Sequence, residues 1–198
     1  MIGIVNYGAG NIFSLTAALE RLNLEYGMIN SEPEFDLYER IIIPGVGHAG
    51  AAMKKLMDTG LVPKIKSLKK PVLGICVGMQ LITDFSEEGD SEMLKIIPVK
   101  TLKFKEETSK KIPHMGWNKV FLTQENQLFN TIVDGAYFYF VHSYFIEFNS
   151  KFTISYCNYG IKFSASIQKD NFYGVQFHPE KSGKAGETLL KNFANLKL

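Results

Sequence analysis

Short runs that are apolar throughout, each followed by a turn and a segment with helical spacing, constrain this chain more than any other feature. Ile2 to Asn6 is such a run and ends in Tyr7-Gly8-Ala9-Gly10. Asn11 to Leu22 follows, with Ile12, Leu15, Ala18, Leu19 and Leu22 at helical spacing and Asn11 available to cap the start. The unit recurs at Arg40 to Pro44, before a glycine-rich turn, a helical stretch from about Ala49 to Met57 and a further helix over Leu61 to Leu68. It recurs again at Val72 to Cys76, which runs into a helical pattern from Val77 to about Phe85. Strands without a polar face need cover on both sides, so the alternation implies a mostly parallel central sheet flanked by helices.

The second half has a different pattern. From about Lys95 to Tyr173 aromatic and β-branched residues alternate with polar ones, as in Tyr137 to Val141, Phe152 to Tyr156 and Phe163 to Ile167, which favours strands in hairpin-like succession. Lys184 to Leu196 reads as a closing helix with Leu189, Leu190, Phe193 and Leu196 on one face. No repeat, low-complexity tract or linker divides the halves. The expectation is one α/β domain over residues 1–198, with antiparallel edge strands.

Composition narrows the partners. The 198 residues carry 22 Lys+Arg against 20 Asp+Glu, a formal charge of +2, which lacks the basic footprint of a dedicated nucleic-acid binder. Two cysteines, Cys76 and Cys157, cannot build a disulfide framework, and a chain of this length does not need one. The first basic residue is Arg21, so the N-terminus does not read as a signal peptide, and no apolar run reaches membrane-spanning length. A soluble, cytoplasmic protein with small-molecule or protein partners is expected.

Gly74-Ile75-Cys76-Val77-Gly78 stands where a buried strand turns into a helix, the setting of a nucleophile elbow with Cys in place of Ser. Small residues on either side permit a sharp turn, and the helix start beside the sulfur favours thiolate over thiol. Such a nucleophile needs a base and the base an orienting group. His178, at the end of the strand Phe172 to Phe177, is held extended by Pro179, and Glu180 two residues on can reach one imidazole nitrogen while the other faces the sulfur.

These segments, with Tyr7 to Asn11, Pro44-Gly45-Val46-Gly47, Pro113 to Asn118 and Phe140 to Tyr144, closely resemble class I glutamine amidotransferases, a family of flavodoxin-like fold. Within that class His114-Met115-Gly116-Trp117-Asn118 and the opening Tyr-Gly-Ala-Gly-Asn resemble the glutaminase subunits of imidazole glycerol phosphate synthase, from residue 2 to about 193. The resemblance implies that Cys76 attacks the carboxamide of glutamine, His178 moves the proton to the departing ammonia and Glu180 holds the imidazole. It implies an oxyanion hole from the N–H of Val77 and the Gly45-Val46-Gly47 turn, with Val46 the favoured donor and Gly47 the other candidate. It assigns substrate binding to Gly45, Gln80, His142, Ser143 and Tyr144, Gln80 being one helical turn beyond Cys76. It also implies a (β/α)8-barrel cyclase partner that consumes the ammonia, facing Asn11, Trp117 and Asn118. No cofactor is required.

Two other motifs were weighed. Gly45-Val46-Gly47-His48-Ala49-Gly50 satisfies the dinucleotide-binding fingerprint literally, but the acidic residue expected about 20 positions on is replaced by Lys64-Ile65-Lys66-Ser67-Leu68-Lys69-Lys70. The cysteines and histidines show no zinc-type spacing, so no metal is expected. Met93 to Val99 and Phe13 depart from the glycine-rich stretch and the basic residue common in the family, at places where partner docking could differ. Three alternatives follow: a paralogue feeding ammonia to another synthase, such as a surface-sugar amidotransferase; a non-catalytic binding subunit; and a cysteine peptidase on a related fold. The intact triad and Gln80 oppose the second, and the glutamine-recognition residues oppose the third.

Overall fold

The computed structural model describes residues 1–107 and 111–197. Its strands are β1 (Ile2–Val5), β2 (Tyr26–Ile29), β3 (Arg40–Ile43), β4 (Val72–Ile75), β5 (Phe85–Ser86), β6 (Ser91–Glu92), β7 (Lys100–Lys103), β8 (His114–Leu122), β9 (Ala136–His142), β10 (Tyr144–Glu147), β11 (Thr153–Tyr159), β12 (Ile161–Lys169) and β13 (Phe172–Val175). The helices are α1 (Ile12–Arg21), α2 (Ala49–Asp58), α3 (Val62–Ser67), α4 (Val77–Leu81) and α5 (Gly183–Ala194).

The parallel block runs β2-β1-β3-β4-β13. β1, β4 and β13 are buried along their whole length, as wholly apolar strands in the middle of a covered sheet must be. Beyond β13 the order continues β12-β10-β7-β5-β6, antiparallel except where β5 joins β7, and β11, β8 and β9 branch from β12 as an antiparallel extension. Helix faces follow the expected period: Leu15, Ala18 and Leu19 are buried on α1, and Leu189, Leu190 and Phe193 on α5. The strand-rich reading of residues 95–173 includes 108–110, which lie outside the described residues, as does residue 198 at the end of the expected domain. Among the described residues no helix is long and apolar enough to cross a membrane.

Local pattern and tertiary structure part in two places. Tyr26-Gly27-Met28-Ile29 has neither alternation nor a continuous apolar run, yet it is a strand, because β1 offers it a parallel edge from Ile2↔Tyr26 to Val5↔Ile29. The helix expected from Val77 to about Phe85 stops at Leu81. The carbonyls of Leu81, Ile82 and Thr83 accept from the N–H groups of Leu94, Ile97 and Lys95, at 2.9, 2.9 and 2.8 Å, instead of carrying the helix onward. The ladder that a helix would have used is satisfied by a neighbouring segment.

The end of β3 and the first turn of α4 meet backbone to backbone. A Cβ on Gly78 would overlap the Ile43 carbonyl oxygen, and one on Gly45 would lie 2.5 Å from the Gly78 nitrogen. Only glycine fits at either point. Gly78→Ala is therefore expected to destabilise the fold by at least about 2 kcal/mol, the upper part of the usual overpacking range; urea unfolding measures it, and a midpoint equal to the parent's would show that the two backbones are not held this close.

Candidate active site

Cys76 is the single residue between β4 and α4, with φ 53° and ψ −110°, a conformation that non-glycine residues adopt only when the surroundings enforce it. Its N–H donates to the Val175 carbonyl at 2.8 Å, extending the pairing of Ile75 with Val175 by one bond and pinning the turn to β13. The chain leaving β13 thus emerges at the same sheet edge, and three residues later delivers His178. That residue is held by its own backbone: its N–H donates to Tyr139 O at 2.9 Å and its carbonyl accepts from Ser182 Oγ at 2.6 Å, while Ser182 Oγ also accepts from Tyr139 N. Pro179–Lys181 forms a 3-10 turn, and Glu180 Oε1 lies 2.8 Å from His178 Nδ1.

Both side chains of this pair are almost wholly buried. His178 Nε2 is the ring atom left without a conventional hydrogen-bond partner, with Cys76 as its neighbour. Burial disfavours the charged ring, but hydrogen bonding and charge from Cys76 and Glu180 outweigh it and push the imidazole up to about 10. A carboxylate on one side of the ring and a sulfur on the other both favour its protonated form. α4 spans only five residues, so the dipole beside the sulfur is that of a short helix.

A cavity of about 330 Å³ opens beside the sulfur. Val46, Gly47, Val77, Gln80, His142, Ser143 and Tyr144 line it together with Cys76 and His178, so the expected catalytic, oxyanion-turn and binding residues converge on one space. Gly45 sits one step back, packed on Val77 and Gly78. Tyr7 closes the rear: its hydroxyl donates to Pro44 O at 2.5 Å and so tethers the Gly45-Val46-Gly47 turn. Burial, with the charge of Cys76 adding to it, raises the Tyr7 phenol and keeps it a donor.

His142 and Asn118 are both hydrogen-bonded within the protein. His142 has no ring nitrogen free for a ligand, since Nδ1 is 2.7 Å from the Tyr144 carbonyl and Nε2 is 2.9 Å from His114 Nδ1. Asn118, half-buried on β8, lies on the same side of the strand as His114, its Nδ2 reaching His114 Nε2 at 3.2 Å and Asn158 O at 3.4 Å and its Oδ1 accepting from Lys119 N at 2.8 Å. The alternate residues Met115 and Trp117 point outward, Trp117 55% exposed. Asn11 caps α1, its Oδ1 accepting from Ser14 N, and the adjacent Phe13 is 81% exposed.

Two residues escaped sequence reasoning. Glu88 lines the cavity, yet in sequence it is one acid in the run Glu87-Glu88-Gly89-Asp90, which reads as a solvated turn. Its Oε2 accepts from Ala49 N at 2.6 Å, occupying the start of α2 where a dinucleotide's pyrophosphate would have to sit. Gln176 is fully buried, with Nε2 3.7 Å from Cys76 Sγ and Oε1 accepting from Gln80 at 3.1 Å. Its position on the apolar strand run before His178 was the only available signal. Among the described residues no group of three or more His, Cys, Asp or Glu side chains is placed to hold a metal ion.

A cysteine at a strand-to-helix elbow and a buried His–Glu pair thus stand beside one cavity on an α/β sheet. Residues 4–196 match the family described as Glutamine amidotransferase class-I. The chain is 47% identical over 192 residues to imidazole glycerol phosphate synthase subunit HisH of Pasteurella multocida, covering 97% of this chain and 96% of that one. It is 46% identical over 194 residues to the HisH subunit of Escherichia coli K12, covering 98% of each. A glutamine amidotransferase of solved structure from Thermotoga maritima superposes with a TM-score of 0.65 at 15% identity, covering 98% of this chain and 82% of that one, which shows the fold alone. The chain belongs to the class I glutamine amidotransferases, and within them to the HisH family.

The buried histidines make a pH signature. Burial lowers His114 to about 4 and, with His114 adding to it, lowers His142 to about 3, whereas both titrate near 6.5 when unfolded. Between those values the unfolded chain binds more protons than the folded one, so their contribution to stability is complete above about pH 6.5 and is lost as pH falls toward about 4 for His114 and about 3 for His142. The urea midpoint is expected to drop from pH 7 to pH 5, and to drop less in His114→Phe. An equal drop in parent and variant would remove His114 as a cause.

Proposed function

We propose that this chain is the cytoplasmic glutaminase subunit of an imidazole glycerol phosphate synthase, releasing ammonia from glutamine for a HisF-type (β/α)8-barrel cyclase in histidine biosynthesis. The observation that carries this reading is the buried His178–Glu180 pair, joined at 2.8 Å, with its free Nε2 toward Cys76 and the cavity. The names of the HisH relatives supply the synthase.

Cys76 Sγ attacks the carboxamide carbon, forming the C–S bond and placing a negative charge on the carbonyl oxygen. The Val77 N–H, with Val46 or Gly47 of the tethered turn, stabilises that oxyanion; one such donor is worth about 100 to 1,000 in rate. Collapse breaks the C–N bond as His178 Nε2 protonates the leaving nitrogen, which departs as ammonia. Water, deprotonated by the now neutral His178, cleaves the thioester and frees glutamate. Gln80 Oε1, buried and unpartnered in the cavity wall, accepts from the substrate. Glu88 offers a carboxylate to its ammonium group, while Gly45, Ser143 and Tyr144 complete the wall.

Docking uses the outer face beside the cavity mouth, with Trp117, Met115 and Tyr137 on the strands and Asn11 with Phe13 at the start of α1. All four apolar side chains are exposed. An exposed aromatic at such a rim is the residue type that anchors interfaces.

Glutamate release is expected to rise when the histidine-pathway cyclase and its ribotide substrate are added; stimulation only by a different synthase, such as a surface-sugar amidotransferase, would transfer the assignment to a paralogue. Cys76→Ser is expected to abolish release, and Glu180→Gln to lower kcat by about 100-fold, within the range for losing an oriented acid–base group. Parental turnover in Cys76→Ser would rule out the nucleophile.

A further inference from the structure

The Tyr144 carbonyl organises a run of hydrogen bonds that reaches from β8 to the sulfur. A carbonyl oxygen only accepts, so His142 Nδ1, 2.7 Å away, carries the proton and His142 Nε2 is a lone pair. His114 Nδ1, 2.9 Å from that lone pair, must then donate, which leaves His114 Nε2 to accept from Asn118 Nδ2 at 3.2 Å. The Asn118 amide is oriented independently, because its Oδ1 accepts from Lys119 N. One carbonyl therefore dictates every proton in this arm, and both rings are neutral Nδ1–H tautomers.

The same carbonyl accepts from Gln80 Nε2 at 3.4 Å, and Gln80 Nε2 also donates to Gln176 Oε1 at 3.1 Å. Gln176 Nε2 is then aimed at Cys76 Sγ, 3.7 Å away. Both hydrogens of the Gln80 amide are engaged inside the protein, and its Oε1 is buried and without a partner, the one amide atom left to meet a ligand. The polarity of the chain decides what Gln80 offers a ligand: an acceptor and no donor.

We propose that His114 and Gln176 are positioning residues of the glutaminase site, His114 holding through His142 the Tyr144 carbonyl on which the Gln80 amide is oriented, and Gln176 aiming an N–H at the Cys76 sulfur. The proposal rests on the reading of Cys76 as nucleophile. His114 acts on substrate binding and Gln176 on the sulfur, so the two predict opposite kinetic signatures. A merely structural role would instead move both parameters together with stability.

Tautomers are read first, on the unmodified full chain, by two-bond 15N–1H correlation of the histidine rings at pH 7. His114 and His142 are expected as Nδ1–H forms; an Nε2–H or charged ring at either overturns the proposal without any variant. Kinetics are then measured in the presence of the synthase partner that supports turnover. His114→Phe keeps the ring stacked on Phe140 and Tyr159 but loses its hydrogen bonds. It is expected to raise KM for glutamine at least about tenfold with kcat within about threefold, the pattern of lost substrate binding. His114→Asn, whose amide N–H replaces the Nδ1 donor, restores most of the KM. Gln176→Glu keeps the acceptor for Gln80 and loses the N–H toward the sulfur. It is expected to slow iodoacetamide alkylation of Cys76 and lower kcat by at least about tenfold while KM stays within about threefold. Parental KM in His114→Phe, or parental alkylation in Gln176→Glu, overturns the proposal. If Cys76→Ser still releases glutamate, the nucleophile reading falls by itself, and the tautomer spectrum and the His114 kinetics still decide the role of His114.

Discussion

The backbone contact between Gly45 and Gly78 is the constraint from which the rest of the site follows. It brings the end of β3 against the first turn of α4, so the Gly45-Val46-Gly47 turn and the Val77 N–H approach the same point beside the sulfur. A side chain at either glycine would hold the two segments apart. Cys76 pays the conformational cost of standing at the junction with positive φ, and its N–H bond to Val175 offsets part of that cost. Tyr7 secures the turn from behind through Pro44. These contacts make the site a property of rigid sheet ends rather than of mobile loops.

Three buried histidines show how strongly surroundings decide chemistry. His178 is raised because a carboxylate and a sulfur both favour its charged ring; His114 and His142 are lowered because burial meets only carbonyl, amide and imidazole partners. The charged ring can deliver a proton to a leaving group. The neutral pair can do something the charged one cannot, which is to hold a fixed donor and acceptor polarity. The division between the two behaviours is made by neighbours drawn from distant parts of the chain.

Much of the site was legible from local pattern. Cys76 was marked by the glycines around it and His178 and Glu180 by a proline that restrains the backbone between strand and turn, whereas Trp117 was marked only by the family resemblance of the segment His114 to Asn118. Glu88 and Gln176 were not legible, since each lies in a segment whose character is set by its neighbours: an acidic turn for one, an apolar strand for the other. The hydrogen-bond partners of His142 and Asn118 were not legible in the sequence. Strand alternation turns Asn118 inward beside His114, and the partners that saturate His142 lie 28 residues away on β8 and two residues along its own chain.

By itself the sequence determined the parallel α/β core, the elbow and the candidate triad, because apolar runs, helical spacing, glycine and proline act over a few residues. Only the tertiary structure decided that β13, formed almost 100 residues after β4, pairs beside it and carries His178 to the sulfur, with Val175 opposite Ile75. It alone decided where α4 ends, that Tyr26–Ile29 is a strand, and which atoms of Gln80 are engaged inside the protein. Those outcomes depend on hydrogen-bond partners distant in sequence, and a donor or acceptor is assigned only when the group opposite it is known.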